Sequence, residues 1–302
     1  MRLFNTVALE IAARCNRRCK FCPVRYNKRP EEHIRWHDFC KALSELGLMG
    51  YTGRIELYIY NEPMREKAYL LECIATARHL APKSCIMVAT NGDYCKGPDD
   101  IMRMYASGLN QLLINCYSKG LYERRTPWIK ALPSVISRER SVYSVLGWRQ
   151  KAVQMLDKSE VDAFGAGVFG LINRAGNIPE FLDPTHEPVS RMCAKPFRML
   201  NVNWRGEALI CCNDYHGDVA YGNIADNSLL ELWTHPVITE YRKRLLGKDR
   251  SLPLCRVCDC HSGAYSHNVS KPETEGAGAE VIEAIYESNL EKRNAKGNTQ
   301  DS

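Results

Sequence analysis

Three cysteines, Cys15, Cys19 and Cys22, stand in the stretch ARCNRRCKFCPV, separated by three residues and then two in a turn-rich loop dense in Arg and Lys. Three thiolates can hold three irons of a cubane cluster and leave the fourth iron open to an exchangeable ligand, whereas a closed structural site such as tetrahedral zinc uses four ligands. The spacing therefore fits a centre built to bind and activate something, with a structural zinc site or a redox thiol cluster as the plainer alternative. A second group of thiols lies in CAKPFRMLNVNWRGEALICC and CRVCDCH: Cys193, Cys211, Cys212, Cys255, Cys258 and Cys260. Four thiolates from it would complete a cluster's coordination, which suits an electron carrier or an anchor, and zinc competes for the same ligand type.

The totals agree with metal or redox chemistry. Fourteen cysteines in 302 residues fall into clusters instead of spreading as a disulfide framework would. Asn5, Thr6 and Glu10 interrupt the apolar stretch that a signal peptide needs, and no run approaches the length of a membrane span. These features place the chain in the cytoplasm, where thiols stay reduced, and away from membranes. Lys and Arg exceed Asp and Glu by 41 to 35, but they are scattered, which argues against nucleic acid as a partner.

Positioning such loops requires a scaffold. Strand patterns occur at 7–11, 54–60, 85–90, 111–116, 142–147 and 167–173, with helical patterns between them at 37–48, 66–80, 98–107 and 149–158. Six strand-helix units predict an α/β fold with a parallel sheet covered by helices. After Asn177 a proline-containing linker leads to a hairpin over 197–212 with Gly206 in its turn, then a helix over 236–246 that starts at Pro236 and stops at Gly247, with Arg242, Lys243 and Arg244 at the negative end of its dipole. The expected division is 1–177, 178–265, and a tail of 266–302 with a helix at 279–293 and a frayed end.

Cys-x3-Cys-x2-Cys directly after a first strand, with Phe21 before the third cysteine, resembles the signature of the radical S-adenosylmethionine superfamily. The resemblance implies a partial (βα)6 barrel, a 4Fe-4S cluster on Cys15, Cys19 and Cys22, and reductive cleavage of S-adenosylmethionine to a 5'-deoxyadenosyl radical. YNEP at 60–63 stands where many members carry Gly-Gly-Glu-Pro, so Glu62 would meet the cofactor's amino group, although Tyr60 and Asn61 replace the glycines. Phe21, Asn91 of TNG, Asn115 and Ser118 of NCYS, and Asn173 of INRAGNI are carried over as cofactor-side positions, and Arg174 as a substrate contact. The bland readings are loop caps for the asparagines and a surface ion pair for Arg174. Cys193, Gly206, Cys211, Cys255 and Cys258 are similar to a SPASM or shorter twitch domain, implying a small α+β module with a second 4Fe-4S cluster. Cys212 and Cys260 are left as alternative ligands or hydrogen-atom donors. Cys40, Cys73, Cys85, Cys95 and Cys116 read as buried small hydrophobes, and His261 as loop polarity.

The layout resembles superfamily members that oxidise aminocyclitols, epimerise neomycin or epimerise peptides. It implies hydrogen abstraction from a small sugar-like or aminocyclitol-like substrate leading to oxidation or epimerisation, with flavodoxin or ferredoxin as electron donor. Peptide modification is the alternative, disfavoured because the barrel pattern starts almost at Met1 with no leader-binding segment before it. A non-enzymatic zinc-binding module is the remote one.

Overall fold

The computed structural model describes residues 4–138, 151–158, 172–183, 185–260 and 275–297. Eight strands form one sheet: β1 (Thr6–Leu9), β2 (Arg54–Glu56), β3 (Cys85–Thr90), β4 (Gln111–Cys116), β5 (Ile136–Arg138), β6 (Lys151–Asp157), β7 (Met199–Val202) and β8 (Ala208–Leu209). Their spatial order is β5-β6-β4-β3-β2-β1-β7-β8, and every pairing except β7 with β8 is parallel. Helices α1 (Trp36–Leu48), α2 (Lys67–Leu80), α3 (Pro98–Ala106) and α4 (Lys119–Ala131) cross between the early strands.

Side-chain alternation sorts the sheet into two faces. Val7, Leu9, Ile55, Ile86, Val88, Leu112, Ile114 and Val153 share a core with Leu43 and Leu46 of α1 and Ile74 of α2, which puts the helices on one side. The opposite face has a small separate cluster of Met87, Leu113 and Ala152, flanked by Tyr58, Ala89 and Leu156. Otherwise that face is polar: Ala8, in register with Glu56 on one side and Asn201 on the other, lies between two buried polar side chains. A sheet with one helix-covered face and one largely polar face is what a partial barrel needs to hold a polar ligand.

Two expectations require correction. Residues 149–158, read as helical, contain β6 (Lys151–Asp157): Ala152 to Asp157 pair with β4, and Ala152 and Val153 are buried on opposite faces, which a two-residue period allows and a helical stripe does not. The second strand is also shorter than expected, ending at Glu56, because Leu57 to Asn61 already turn towards the YNEP loop, with Ile59 donating to the Asn61 side chain at 3.2 Å. The expected strand at 142–147 and all but the end of that at 167–173 lie outside the described residues.

The hairpin over β7 and β8 forms with Gly206 at φ +78°, a conformation glycine adopts without strain. Instead of standing apart, β7 extends the barrel sheet, pairing Thr6 to Leu9 with Met199 to Val202. Two helices follow, α5 (Leu229–Thr234), opened by a Ser228–Glu231 capping box, and α6 (Pro236–Leu246). Arg242 does not serve the α6 dipole: it is buried, lies 3.7 Å over the Trp233 ring and donates to the carbonyls of Trp233 and Pro196. The last helix, α7 (Ala279–Gly297), runs beyond the expected 293; Arg293 pairs with Asp218 at 2.6 Å and Asn289 donates to the Asp218 carbonyl, tying the helix to the turn after the hairpin. No described helix is long and apolar enough to cross a membrane.

Candidate functional site

The loop after β1 carries Cys15, Cys19 and Cys22, all half-buried and none in a disulfide. It is fastened at both ends. Glu62 donates its backbone N–H to the Arg14 carbonyl at 2.9 Å, and Arg17 holds Asp93 through two charge-assisted bonds of 2.6 and 2.7 Å. Asn91 bridges the two loops, donating to the Asn16 side chain at 2.8 Å and facing the Cys15 sulfur at 3.9 Å. Burial pushes the Cys15 thiol up to about 11 and raises that of Cys22, against which Arg174 and Arg29 act. Metal binding relieves this by replacing the protons, since metal-bound thiols are deprotonated.

Glu62 is 3 % exposed. Its carboxylate accepts from Met64 N (3.0 Å), Thr90 Oγ1 (2.5 Å) and Asn91 N (2.7 Å), and burial still pushes it up to about 7. Gly92 completes this turn at φ +74°, where an added Cβ would meet Ile114 at 2.9 Å. The YNEP and TNG segments therefore interlock through one carboxylate. Ser118 caps α4 by accepting from Leu121 N, and Phe21 packs on Tyr117 with ring centroids 5.4 Å apart. Asn115 holds a buried Oδ1 with no hydrogen-bond partner among the described residues.

INRAGNI makes a left-handed turn, with Arg174, Ala175 and Gly176 at φ +52°, +56° and +83°. The first two are strained for residues with a Cβ, at about 1–2 kcal/mol each. Asn173 uses its whole side chain to hold the turn in place, donating to Val257 O at 2.6 Å and accepting from Gly176 N, while its backbone N–H donates to Asp259. Asn177 ties the same turn to Asn213. From this turn Arg174 reaches Asn213, next to Cys212, and comes within the electrostatic reach of both thiol groups. Burial works against its charge, and Tyr60, Cys212, Cys22 and Cys260 surround and sustain it. The plainer alternative for Arg174, a surface ion pair, is not what the fold builds among the described residues; its hydrogen bond goes to Asn213 at 3.4 Å.

The second group of thiols converges around the hairpin end. Cys211 accepts from Asn213 N at 3.4 Å, Asn213 Nδ2 faces Cys258 at 3.9 Å, and Cys258 is paired with Cys260. Cys255 is pushed up to about 12 by burial and lies within the field of Cys193 and of Arg250. Lys195 Nζ is 3.3 Å from Cys212 Sγ, and that thiol is the main cause of its raised pKa. Among the described residues no group of three His, Cys, Asp or Glu gathers as a site for a single metal ion. Thiolates of a cubane each serve a separate iron and so stand apart. The fit to an anionic cluster is seen in Arg250, which is 3 % exposed, has no ion pair among the described residues and keeps Nη2 without a partner. Of the other cysteines, Cys73, Cys85, Cys95 and Cys116 are buried as expected, and Cys40 is only half-buried.

Several residues joining the two thiol groups carry no motif and escaped the sequence reading. Arg29 pairs with Glu10 at 2.7 Å, donates to the Tyr215 carbonyl at 2.8 Å and lies 4.0 Å over the Tyr215 ring. Tyr60 donates to the Cys212 carbonyl at 2.6 Å and meets Tyr215 edge-on at 4.9 Å. The departure from Gly-Gly at position 60 was the available signal: the tyrosine reaches from the barrel into the C-terminal module.

Residues 193–260 match the SPASM family, described as an iron-sulfur cluster-binding domain. That segment is thus a SPASM domain, and with the three-cysteine loop and the mostly parallel sheet the chain is similar to radical S-adenosylmethionine enzymes that carry such a domain. Among curated proteins it is similar to the S-adenosyl-L-methionine-dependent 2-deoxy-scyllo-inosamine dehydrogenase of Niallia circulans, at 24% identity over 85% of this chain and 94% of that protein. Its fold is that of BtrN in complex with AdoMet and 2-DOIA, with a TM-score of 0.68 and 21% identity over 87% of this chain and 95% of that one. BtrN in an open conformation matches at a TM-score of 0.61, with 19% identity and the same coverage.

Proposed function

We propose that this chain is a radical S-adenosylmethionine oxidoreductase that removes a hydrogen atom from a small aminocyclitol-like or sugar-like substrate, leading to oxidation or epimerisation at carbon. The observation that carries this reading is Arg174, held on a strained turn within the electrostatic reach of Cys22 and of Cys212 and Cys260. A hydroxyl- or amine-bearing ring seated there would lie between the two thiol groups. The polar sheet face, with the buried Asn201 and the half-buried Asn115 offering buried amide atoms without partners among the described residues, suits such a ring better than an apolar one.

Cys15, Cys19 and Cys22 would hold one 4Fe-4S cluster, and Cys193, Cys211, Cys255 and Cys258 a second. When bound, the cofactors supply reductive cleavage of S-adenosylmethionine to a 5'-deoxyadenosyl radical and a second centre able to take one electron. A low-potential donor such as flavodoxin or ferredoxin feeds the first, in the reducing cytoplasm. Glu62 and Asn91 shape the rim beside Cys15, where the cofactor's amino group would be received. Arg174 supplies fixed charge-assisted donors for a substrate oxygen. Cys212 and Cys260 are the candidate hydrogen-atom donors for epimerisation, but Lys195 engages the first and Cys258 the second, which favours oxidation. The dehydrogenase relative supports the same choice. In oxidation the substrate carbon gives up one hydrogen atom, then one electron, and its hydroxyl loses a proton to solvent as the carbon–oxygen double bond forms.

Mass spectrometry of the product separates the two outcomes. Turnover of an aminocyclitol to a product about two mass units lighter, undiminished in Cys212→Ala and Cys260→Ala variants, is the expected result. A product of unchanged mass that gains deuterium from deuterium oxide would replace oxidation with epimerisation, and no 5'-deoxyadenosine with any aminocyclitol or sugar would sink the reading.

Glu62→Gln is expected to weaken S-adenosylmethionine binding at unchanged iron content. It turns an amide N–H₂ towards one of three donors that now point at a carboxylate, which costs about 1–3 kcal/mol. Equilibrium binding to the reconstituted protein is the measurement, and unchanged affinity would detach this carboxylate from the cofactor.

A further inference from the structure

Arg250 presents an electrostatic problem. Its Nε donates to Arg191 O at 2.8 Å and its Nη1 to the carbonyls of Cys260 and Cys258 at 3.0 and 3.4 Å, while Nη2 has no partner. A guanidinium stays charged in any protein environment, and burying one without an anion costs several kcal/mol. No carboxylate pairs with it among the described residues, yet it is buried to 3 % exposure and acts on Cys255. Lys195 repeats the pattern at the same thiol group: its Nζ is within hydrogen-bond distance of Cys212, it feels Cys211 and Cys260, and it forms no ion pair with a carboxylate among the described residues. Two cations thus stand against one set of cysteines, and among the described residues neither forms an ion pair with a carboxylate.

We propose that Arg250, seconded by Lys195, is the counter-cation of the second cluster and sets its reduction potential. The inference rests on the reading of Cys193, Cys211, Cys255 and Cys258 as ligands of that cluster. Adding one electron to the oxidised cluster makes its thiolate-ligated core more negative by one charge. A fixed cation held against the ligand loop stabilises the reduced form more than the oxidised one, and so raises the potential. That is the direction a centre needs if it is to take the electron released as the substrate carbon is oxidised. Backbone bonds to the carbonyls of Cys258 and Cys260 fix the cation in place, which makes Arg250 a positioning and tuning residue, not a catalytic one.

The test is a redox titration followed by electron paramagnetic resonance, on anaerobically reconstituted protein in which Cys15, Cys19 and Cys22 are alanine, so that only the second cluster is observed. In that background Arg250→Gln is expected to make reduction at least tenfold less favourable, a fall of about 59 mV for a one-electron couple. Arg250→Lys should keep most of the parent value, and Lys195→Met should fall in the same direction. If the glutamine variant does not load iron, Lys195→Met alone decides. A parent with about four irons whose potential is unmoved by the charge-removing variants overturns this proposal and leaves the cluster intact. A parent without a reducible cluster overturns the ligand assignment itself and this proposal with it.

Discussion

Replacing Cys15, Cys19 and Cys22 together with alanine is expected to lower the iron of the reconstituted protein from about eight to about four per chain and to abolish 5'-deoxyadenosine formation. The two thiol groups lie on different segments. The first sits on the loop between β1 and α1, anchored by Arg14 O and Asp93; the second sits on the segment before β7, the hairpin end and the loop after α6. Removing one set therefore leaves the other's coordination untouched. Iron analysis with an assay for 5'-deoxyadenosine checks both halves, and retained cleavage in the triple variant would end the radical interpretation. Loss of all eight irons would overturn the assignment of Cys193, Cys211, Cys255 and Cys258 as a separate four-thiolate site.

Arg29→Met is expected to destabilise the protein by about 3–5 kcal/mol, the usual result of removing one partner of a buried ion pair. Glu10 is fully buried, and Arg29 and the Tyr60 N–H are its partners, both on the same carboxylate oxygen. The second oxygen, Oε2, already lacks a partner. Without the guanidinium a carboxylate is left in the core, and Tyr215 loses both its carbonyl bond and its stacked cation. Urea unfolding of the iron-loaded protein measures the loss. Glu10→Gln placed in the same chain should recover a substantial part, because it removes the uncompensated charge. A loss below about 1 kcal/mol would place this pair among ordinary surface contacts.

The early strands were readable because the pattern there is local. CIMVAT and QLLINC are apolar runs bounded by turn residues, and they form β3 and β4 at the expected limits. The α6 boundaries were readable for a similar reason, since Pro236 and Gly247 act on their own backbone. Residues 151–157 were misread because KAVQMLD fits a helix as well as a strand in isolation; pairing between β4 and β5 selects the strand. Of the site, the cysteine spacing was legible, but the setting of each cysteine was not. Phe21 against Tyr117, Ser118 on the α4 cap and Asn173 on Val257 and Asp259 are used inside the fold.

The sequence by itself determined the chemistry on offer: three thiols at a spacing that suits an open cluster, a second group that suits a closed one, and the alternating elements of an α/β scaffold. These follow from residue type and short-range spacing, which the chain carries wherever it goes. Only the tertiary structure decided how the two groups face each other. β7 joins the sheet beside β1, Arg29 and Tyr60 reach across to Tyr215 and Cys212, and Arg174, on a left-handed backbone, reaches Asn213 next to Cys212. Each of those contacts joins residues far apart in sequence, through burial and charge pairing that exist only once the sheet has assembled, so no local pattern could announce them.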